Sequence, residues 1–454
     1  VTVSRRTLLA WLAIAAALAV VGAGQSWSLA LSIANLCLIS AVMALSVNIQ
    51  WGYAGLFNVG IMGFAALGGL AAVLVSKPPV PDAWAAGGSG LLGALVAAAA
   101  AVALTAGLAR LLPRSRWRAP VLAICLVAGY LVVRALFDPA VDAIEAVEPA
   151  KTGYLGGLGL PILFSWAVGG LFAAAAAWVI GRIALGLRSD YFAIATLGIA
   201  EIIIAVLKNE DWLARGVKNV TGLGRPVPYE VDLQRDPAFI DRVAWLYGGT
   251  LDGLADDARA AALRDLVVQS SGLFVKLCYA GLFVAVLAVI FWLSERALRS
   301  PWGRMMHAIR DNETAAGAMG KDVTRRHRQV FILGSAVAGI AGAMLVTLDG
   351  QFTPASYVPL RFSFLVWVMV IIGGSGNNQG AVIGAFLIWL VWIEAEPVGL
   401  WLIDALTAGL GEGHGLREHL LEAAAHTRPL VMGLTLLVVM RFAPRGLVPE
   451  HRGR

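Results

Sequence analysis

Charge and reactive side chains are scarce in this chain. Asp, Glu, Lys and Arg together make up 14% of its 454 residues, with six histidines and three cysteines. Cys37, Cys125 and Cys278 lie far apart inside apolar stretches, without CxxC spacing. That excludes a disulfide framework or a zinc site and leaves them as small packing residues. No GxxxxGK[ST] stretch occurs, and Gly317-Ala-Met-Gly320-Lys321-Asp322 is not one. The chain therefore has no phosphate-cradling loop of its own. No His/Asp/Glu set sits in the apolar blocks at catalytic spacing, which argues against a membrane enzyme. Basic residues fall in short runs between apolar blocks, such as Arg110, Arg114, Arg116 and Arg118. Topology accounts for such runs better than nucleic acid does.

What remains is apolar. Residues of the hydrophobic class make up 59% of the chain and the mean hydropathy is +0.77, a membrane composition. Hydrocarbon gives the backbone no partners, so blocks rich in Ala, Leu, Ile and Gly close their hydrogen bonds as helices; a barrel needs shorter, alternating segments. The fold class predicted is an all-α polytopic membrane protein with about 10–12 transmembrane or re-entrant helices. Its candidate spans are 8–23, 29–49, 55–75, 91–109, 120–137, 162–181, 191–207, 273–294, 329–348, 362–376, 381–396 and 429–442, with twelve as the upper count. Arg5 and Arg6 before Leu8 to Ala23 resemble a signal peptide. Spans that follow at once make an uncleaved first helix the better reading.

Placing both termini in the cytoplasm puts 110–119, 182–190, 295–328 and 441–454 inside, and these Arg-rich segments satisfy the positive-inside rule. Residues 208–272, with ten acidic and eight basic side chains, then form an external insert, and 397–428 an external loop. His414, His419 and His426 beside Glu412, Glu418 and Glu422 match no metal-ligand spacing. A solvated helix explains them, and Gly409, Gly411, Gly413 and Gly415 read as a flexible loop.

Two Gly- and amide-rich stretches, Trp51 to Gly60 and Gly373 to Gly380, stand at the edges of apolar blocks. Each reads as a tight turn or as a break lining a wet cavity. Asn35, Asn48, Gln50 and Asn58 can bond across helices, at about 0.6 kcal/mol each, or face a cavity; packing is the role expected of Asn35. Gly334, Ser335, Ala338, Gly339 and Gly342 give the small-xxx-small spacing of close helix contact. Glu201 stands alone in Ala195-Thr-Leu-Gly-Ile-Ala-Glu-Ile-Ile-Ile-Ala, either lining a pathway or bonded to a neighbouring span. Asn58, Gly60 and Glu201 are the candidate pathway residues. With Glu201 nearly alone, apart from Glu394 and Glu396 near a helix end, a gradient-driven carrier is the runner-up to an ATP-driven one.

Ser300-Pro-Trp-Gly-Arg-Met-Met-His-Ala-Ile-Arg310 opens as an N-cap followed by an N1 proline, and a second turn through Glu313 to Met319 stops at Gly320. The spacing predicts an amphipathic helical hairpin, with Met305 and Ile309 on one face and Arg304 and Arg310 off it. The small run Ala315, Ala316, Gly317 and Ala318 suits close docking into a groove; the competing reading is a basic helix on anionic lipid with Met305 and Met306 inserted.

This stretch resembles the cytoplasmic coupling segment of branched-chain amino acid ABC transporter permeases of the LivM type. The resemblance lies in Ser300, Gly303, Arg304, Ala308, Ile309, Arg310, Asn312, Glu313, Ala315, Ala316 and Gly320. It extends to Leu45 to Gly69, which contains Ala54 to Gly60, to Arg188 to Gly198 with Glu201, to Ile371 to Gly376 and to Pro444 to Leu447. Where such permeases often have His near Gly60, this chain reads Gly60-Ile-Met-Gly63, and its 208–272 and 397–428 loops are long.

The resemblance implies the permease subunit of an ABC importer working by alternating access in the bacterial inner membrane. It implies contact with an ATPase through Gly303, Arg304, Ala308, Ile309, Arg310, Asn312, Glu313, Ala315, Ala316 and Gly317. It implies four kinds of partner: a second related permease, two ATPase subunits that use ATP and Mg, a periplasmic solute-binding protein, and membrane lipid. No cofactor is expected on this chain. Leucine, isoleucine and valine are the expected substrates, with other amino acids, urea and short amides as alternatives.

Overall fold

The computed structural model describes residues 5–113, 115–409 and 414–450. Arg114, Gly411, Glu412, Gly413 and 451–454, on which some of the expectations above fall, lie outside the described residues. The principal helices are α1 (Arg5–Gly24), α2 (Trp27–Val47), α3 (Ile61–Ser76), α4 (Ser89–Leu111), α5 (Arg118–Glu145), α6 (Phe164–Ala184), α7 (Ser189–Asn209) and α8 (Asp256–Arg299). They continue with α9 (Pro301–Asp311), α10 (Glu313–Ala318), α11 (Val323–Asp349), α12 (Pro359–Gly373), α13 (Asn378–Thr407) and α14 (Thr427–Phe442). Among the described residues nine helices are long and apolar enough to cross a membrane by themselves. The shorter α3 and α12 and the bent pair ending in α14 supply the rest, so every predicted span has its helix and the protein is all-α and polytopic.

Local sequence sets the helix ends. Ser26 caps α2 by accepting from the Leu29 amide at 3.1 Å, Asp322 caps α11 through Arg325 at 2.9 Å, and Asn377 caps α13 through Gln379 at 3.0 Å. Pro359 opens α12 where its missing N–H costs nothing. Two predicted loops are more helical than expected. Residues 256–272 extend α8, whose 44 residues reach about 66 Å, past a hydrocarbon core of about 30 Å. Helix α13 runs through Pro397 to Thr407, as membrane helices can where neighbouring groups satisfy the backbone that a proline frees. The His419 region is the solvated helix expected, Gly415–Ala423.

Burial orders the bundle. In α2, 78% of the most apolar window is buried, and in α11 67%, against 6% for the stretch containing α4 and none for α5. The core is thus α2, α3, α11, α12 and α13, with α6, α7 and α8 packed around it, while α4 and α5 form a peripheral hairpin. The small-residue spacing on α11 is used as predicted: a Cβ on Gly339 would strike the Gly169 carbonyl, and one on Gly342 the Ala65 carbonyl. At one end of the bundle the insert packs Phe239, Val243 and Val267 together. It also pairs β1 (Val220–Thr221) antiparallel with β2 (Gln351–Phe352). The α9–α10 hairpin marks the opposite end.

Candidate functional site

Between α2 and α3 the chain is broken. After Val47 the helix widens into a π-helical turn, Asn48–Gly52, and residues 55–60 are not helical, so the break foreseen at Trp51 to Gly60 is present. Backbone freed here must find partners. The Asn58 carbonyl accepts from the Trp367 indole at 2.9 Å, the Val59 amide donates to Thr196 Oγ1 at 3.1 Å, and the Gly60 amide donates to Asn58 Oδ1 at 2.9 Å. Asn58 Nδ2 donates to Gln50 Oε1 at 2.8 Å. Gly60 lies so close to α7 that a Cβ there would come within 2.9 Å of the Thr196 carbonyl carbon and nearer still to its oxygen.

The other amides bind helices together. Asn35 Nδ2 donates to the Lys276 carbonyl at 3.0 Å, the packing role expected. Asn48 donates to Asn378 Oδ1 at 2.9 Å and accepts from the Gly376 amide at 2.8 Å. Asn378 also accepts from the Tyr53 hydroxyl and donates to Glu295 at 2.9 Å. The Gly373 to Gly380 stretch is therefore a turn between α12 and α13, as its simpler reading had it. It is buried against the π-turn and covered by Leu447 and Val448, whose amides bond to the Ile372 and Gly373 carbonyls at 2.8 and 3.0 Å.

The hairpin forms as predicted at its ends. Ser300 accepts from the Gly303 amide at 3.3 Å and Asn312 from the Ala315 amide at 2.9 Å. Its buried stripe is different: Gly303, Met306 and Ile309 face inward, while Met305 is only partly buried. With Pro301 at N1 the inward positions recur every third residue, and Gly303 is required because a Cβ would strike the Ala297 and Leu298 carbonyls. Met306, fully buried in protein, is not available to lipid. Arg304, Ala308, Asn312, Glu313, Ala315 and Gly317 are exposed, whereas Ala316 is buried.

Arg310, expected off the packed face, is turned inward. Its guanidinium donates to the Gly52 carbonyl and to both Glu450 oxygens, at 3.2 and 2.9 Å. The two side chains are 18% and 22% exposed, and a planar fork suits this three-way grip. His307 Nδ1 stands 3.3 Å from the same carboxylate. Burial and the neighbouring Arg310 hold its imidazole below the usual pKa, outweighing the pull of Glu450. Hairpin, π-turn and C-terminal segment thus meet at one guanidinium.

Two cavities flank the break. Toward the insert end, one of about 210 Å³ is walled by Ile39 and Met43 of α2, Met62 of α3 and Leu365, Val366 and Met369 of α12, with Asp349, Tyr357 and Trp389 beside them. Toward the hairpin end, one of about 170 Å³ is lined by Ala54 to Phe57, Phe192, Ile309, Arg310, Glu313 and His327. Asn58 and Gly60 line neither. They hold the break in shape between the two. Glu201 lies apart from both, exposed on the α7 face that also presents Ile194, Gly198 and Ala205. It makes no hydrogen bond or ion pair among the described residues, so its structural reading as a bond to a neighbouring span of this chain does not hold.

Glu450, His307, Tyr53 and the cavity residues Asp349, Tyr357 and Trp389 carry no signal in the sequence read alone. Each takes its place beside residues far along the chain. The one available pointer was Pro444 to Leu447, which ends three residues before Glu450.

A family model described as the permease component of branched-chain amino acid transport systems matches residues 136–440. The Escherichia coli high-affinity branched-chain amino acid transport system permease protein LivM is 29% identical over 221 residues, 49% of this chain and 48% of the relative. Its Salmonella typhimurium counterpart is 29% identical over 219 residues, 48% of this chain and 47% of the relative. The probable LivM protein of Methanocaldococcus jannaschii is 27% identical over 169 residues, 37% of this chain and 45% of the relative. The chain spans about half the length of the curated relatives it matches. No solved structure matches it.

Proposed function

The chain belongs to the family of permease components of branched-chain amino acid transport systems, and on that premise we propose that it is a membrane-spanning subunit of an ATP-driven importer for branched-chain or related amino acids in the bacterial inner membrane. Hydrolysis of ATP with Mg takes place on separate ATPase subunits. A second permease and a periplasmic binding protein complete the machine. The Arg-rich hairpin end faces the cytoplasm and the insert end the outside, the orientation that the distribution of Lys and Arg favours.

The observation that carries this reading is the grip of Arg310 on the Gly52 carbonyl. An ATP-driven permease needs a rigid element that a motor can push and a connection from it to the pathway. The exposed face of the hairpin, with Arg304, Ala308, Asn312, Glu313, Ala315 and Gly317, is the part offered to the ATPase. The buried stripe, Gly303, Met306 and Ile309, passes force to the bundle, and Arg310 passes it to the break. In alternating access the break moves between two positions, opening the outer cavity in one and the inner in the other. Glu201, with Gly198 and Ala205 on an unoccupied face, lies against the second permease, where water and protein can satisfy a carboxylate.

Reconstitution with the ATPases and binding protein tests this directly. Leucine uptake should need ATP and persist when ion gradients are collapsed; uptake that follows the gradient and ignores ATP would establish a secondary carrier instead. Glu201→Gln should leave the purified chain as stable as before while lowering uptake by the assembled transporter, and unchanged uptake would remove Glu201 from the pathway.

A further inference from the structure

We propose that the outer cavity is a binding site, within this permease, for an aliphatic α-amino acid, so that the membrane subunit itself selects its cargo; this rests on the transport reading above. Size agrees: the cavity holds about 210 Å³, and one of about 150 Å³ lined by aliphatic side chains already admits benzene. The wall is built from Leu, Ile, Val, Met and Phe side chains of α2, α3, α11 and α12. Its polar groups are few and of the right kinds. Tyr357 is 4% exposed and its hydroxyl has no partner among the described residues, nor has the Trp389 indole N–H. Buried donors without partners are costly and rare, and a ligand acceptor would satisfy both. Asp349 adds a carboxylate at the end of α11, beside the insert, with no ion pair among the described residues.

An amino acid supplies what these groups lack. Its ammonium meets Asp349, its carboxylate takes the Tyr357 hydroxyl and the Trp389 N–H, and its branched side chain fills the space between Ile39, Met43, Leu365, Val366 and Met369. No second charge lies in that apolar part, so Lys and Glu side chains are disfavoured. The Met residues in its wall, Met43, Met62 and Met369, adapt to leucine, isoleucine and valine alike.

The test uses the assembled transporter in nanodiscs without the binding protein, with radiolabelled leucine as the probe and proteoliposome uptake as a second readout. Asp349→Asn should weaken leucine binding roughly 10- to 100-fold, the loss of one charge-assisted hydrogen bond. The wild type should prefer leucine over 4-methylpentanoate, which has no ammonium, and Asp349→Asn should lose that preference. Val366→Ala, which enlarges the cavity without burying a new group, should shift selection from valine toward phenylalanine. That gain cannot arise from misfolding. Wild-type selectivity in both variants overturns this inference and leaves the transport reading standing. A wild-type transporter that takes up no aliphatic amino acid overturns both.

Discussion

The sharpest consequence of the structure concerns Arg310. Its guanidinium joins the hairpin to the π-turn through the Gly52 carbonyl and to the C-terminal segment through both oxygens of Glu450. Hydrogen bonds to charged groups contribute about 1.5–3 kcal/mol net. With 18% and 22% exposure solvent screens part of that, and we take about 2–3 kcal/mol for the whole grip, or roughly 30- to 150-fold in the equilibrium between gripped and released states. Arg310→Ala should therefore leave the ATPases turning over while leucine taken up per ATP hydrolysed falls sharply. Arg310→Lys should fall between, because an ammonium keeps the charge but cannot fork toward two partners. The Arg225–Glu230 pair in the insert, at 32% and 37% exposure, is the control, and Arg225→Ala should change nothing measurable. An assembled Arg310→Ala transporter with the wild-type ratio of uptake to hydrolysis would refute transmission through this contact.

Gly317→Leu and Glu313→Trp should uncouple hydrolysis from uptake without lowering the melting temperature of the purified permease, since both positions are exposed and a Cβ on Gly317 meets nothing within 4 Å; undiminished uptake would sink the docking assignment. Gly60→Ala should cost about 1–3 kcal/mol of stability, the usual effect of overpacking, because the added carbon falls on the Thr196 carbonyl, and an unchanged melting temperature would contradict it. His307, whose affinity for a proton burial and Arg310 lower, takes up its proton in the unfolded chain first as pH falls below about 6.5. The stability tied to the neutral imidazole is complete above that pH and is lost as pH falls toward the lower folded value, so His307→Gln should flatten the wild-type loss of melting temperature between about pH 7 and 5.5.

How much of this was legible depends on whether the signal is local. Spans are local: an apolar block of sufficient length can do little but cross the bilayer as a helix, and each block did become one. Caps are local as well, which is why Ser300, Pro301 and Asn312 outlined the hairpin. Extents failed where a helix outlasts its apolar block. The polar residues 256–272 carry no hydrocarbon signature, yet they continue α8 because nothing there interrupts it. Orientation about the helix axis failed for the same kind of reason. Arg310 is polar, so an amphipathic pattern assigns it to solvent, but a carbonyl freed at Gly52 and a carboxylate at Glu450 draw it inward. Neither partner is near it in sequence. The cavities were wholly invisible, since their walls come from helices separated by hundreds of residues and only packing brings Met43, Met62 and Val366 together.

The break between α2 and α3 ties these features into one device. A continuous helix would present no free carbonyl at Gly52, no Asn58 carbonyl for Trp367 and no amide at Val59 for Thr196. Each of these bonds replaces one that a regular helix would have made within itself, so forming the break costs little while its contacts last. Each also runs to a different element, namely the hairpin, α12 and α7. A pull on the hairpin can therefore exchange one set of bonds for another without unfolding a helix, the property a two-position gate requires. Because the helices that flank the break wall the outer cavity with Met43 and Met62, and residues 54–57 line the inner one, a shift of the break that carries those helix ends with it alters both, and on the proposed mechanism opening one closes the other.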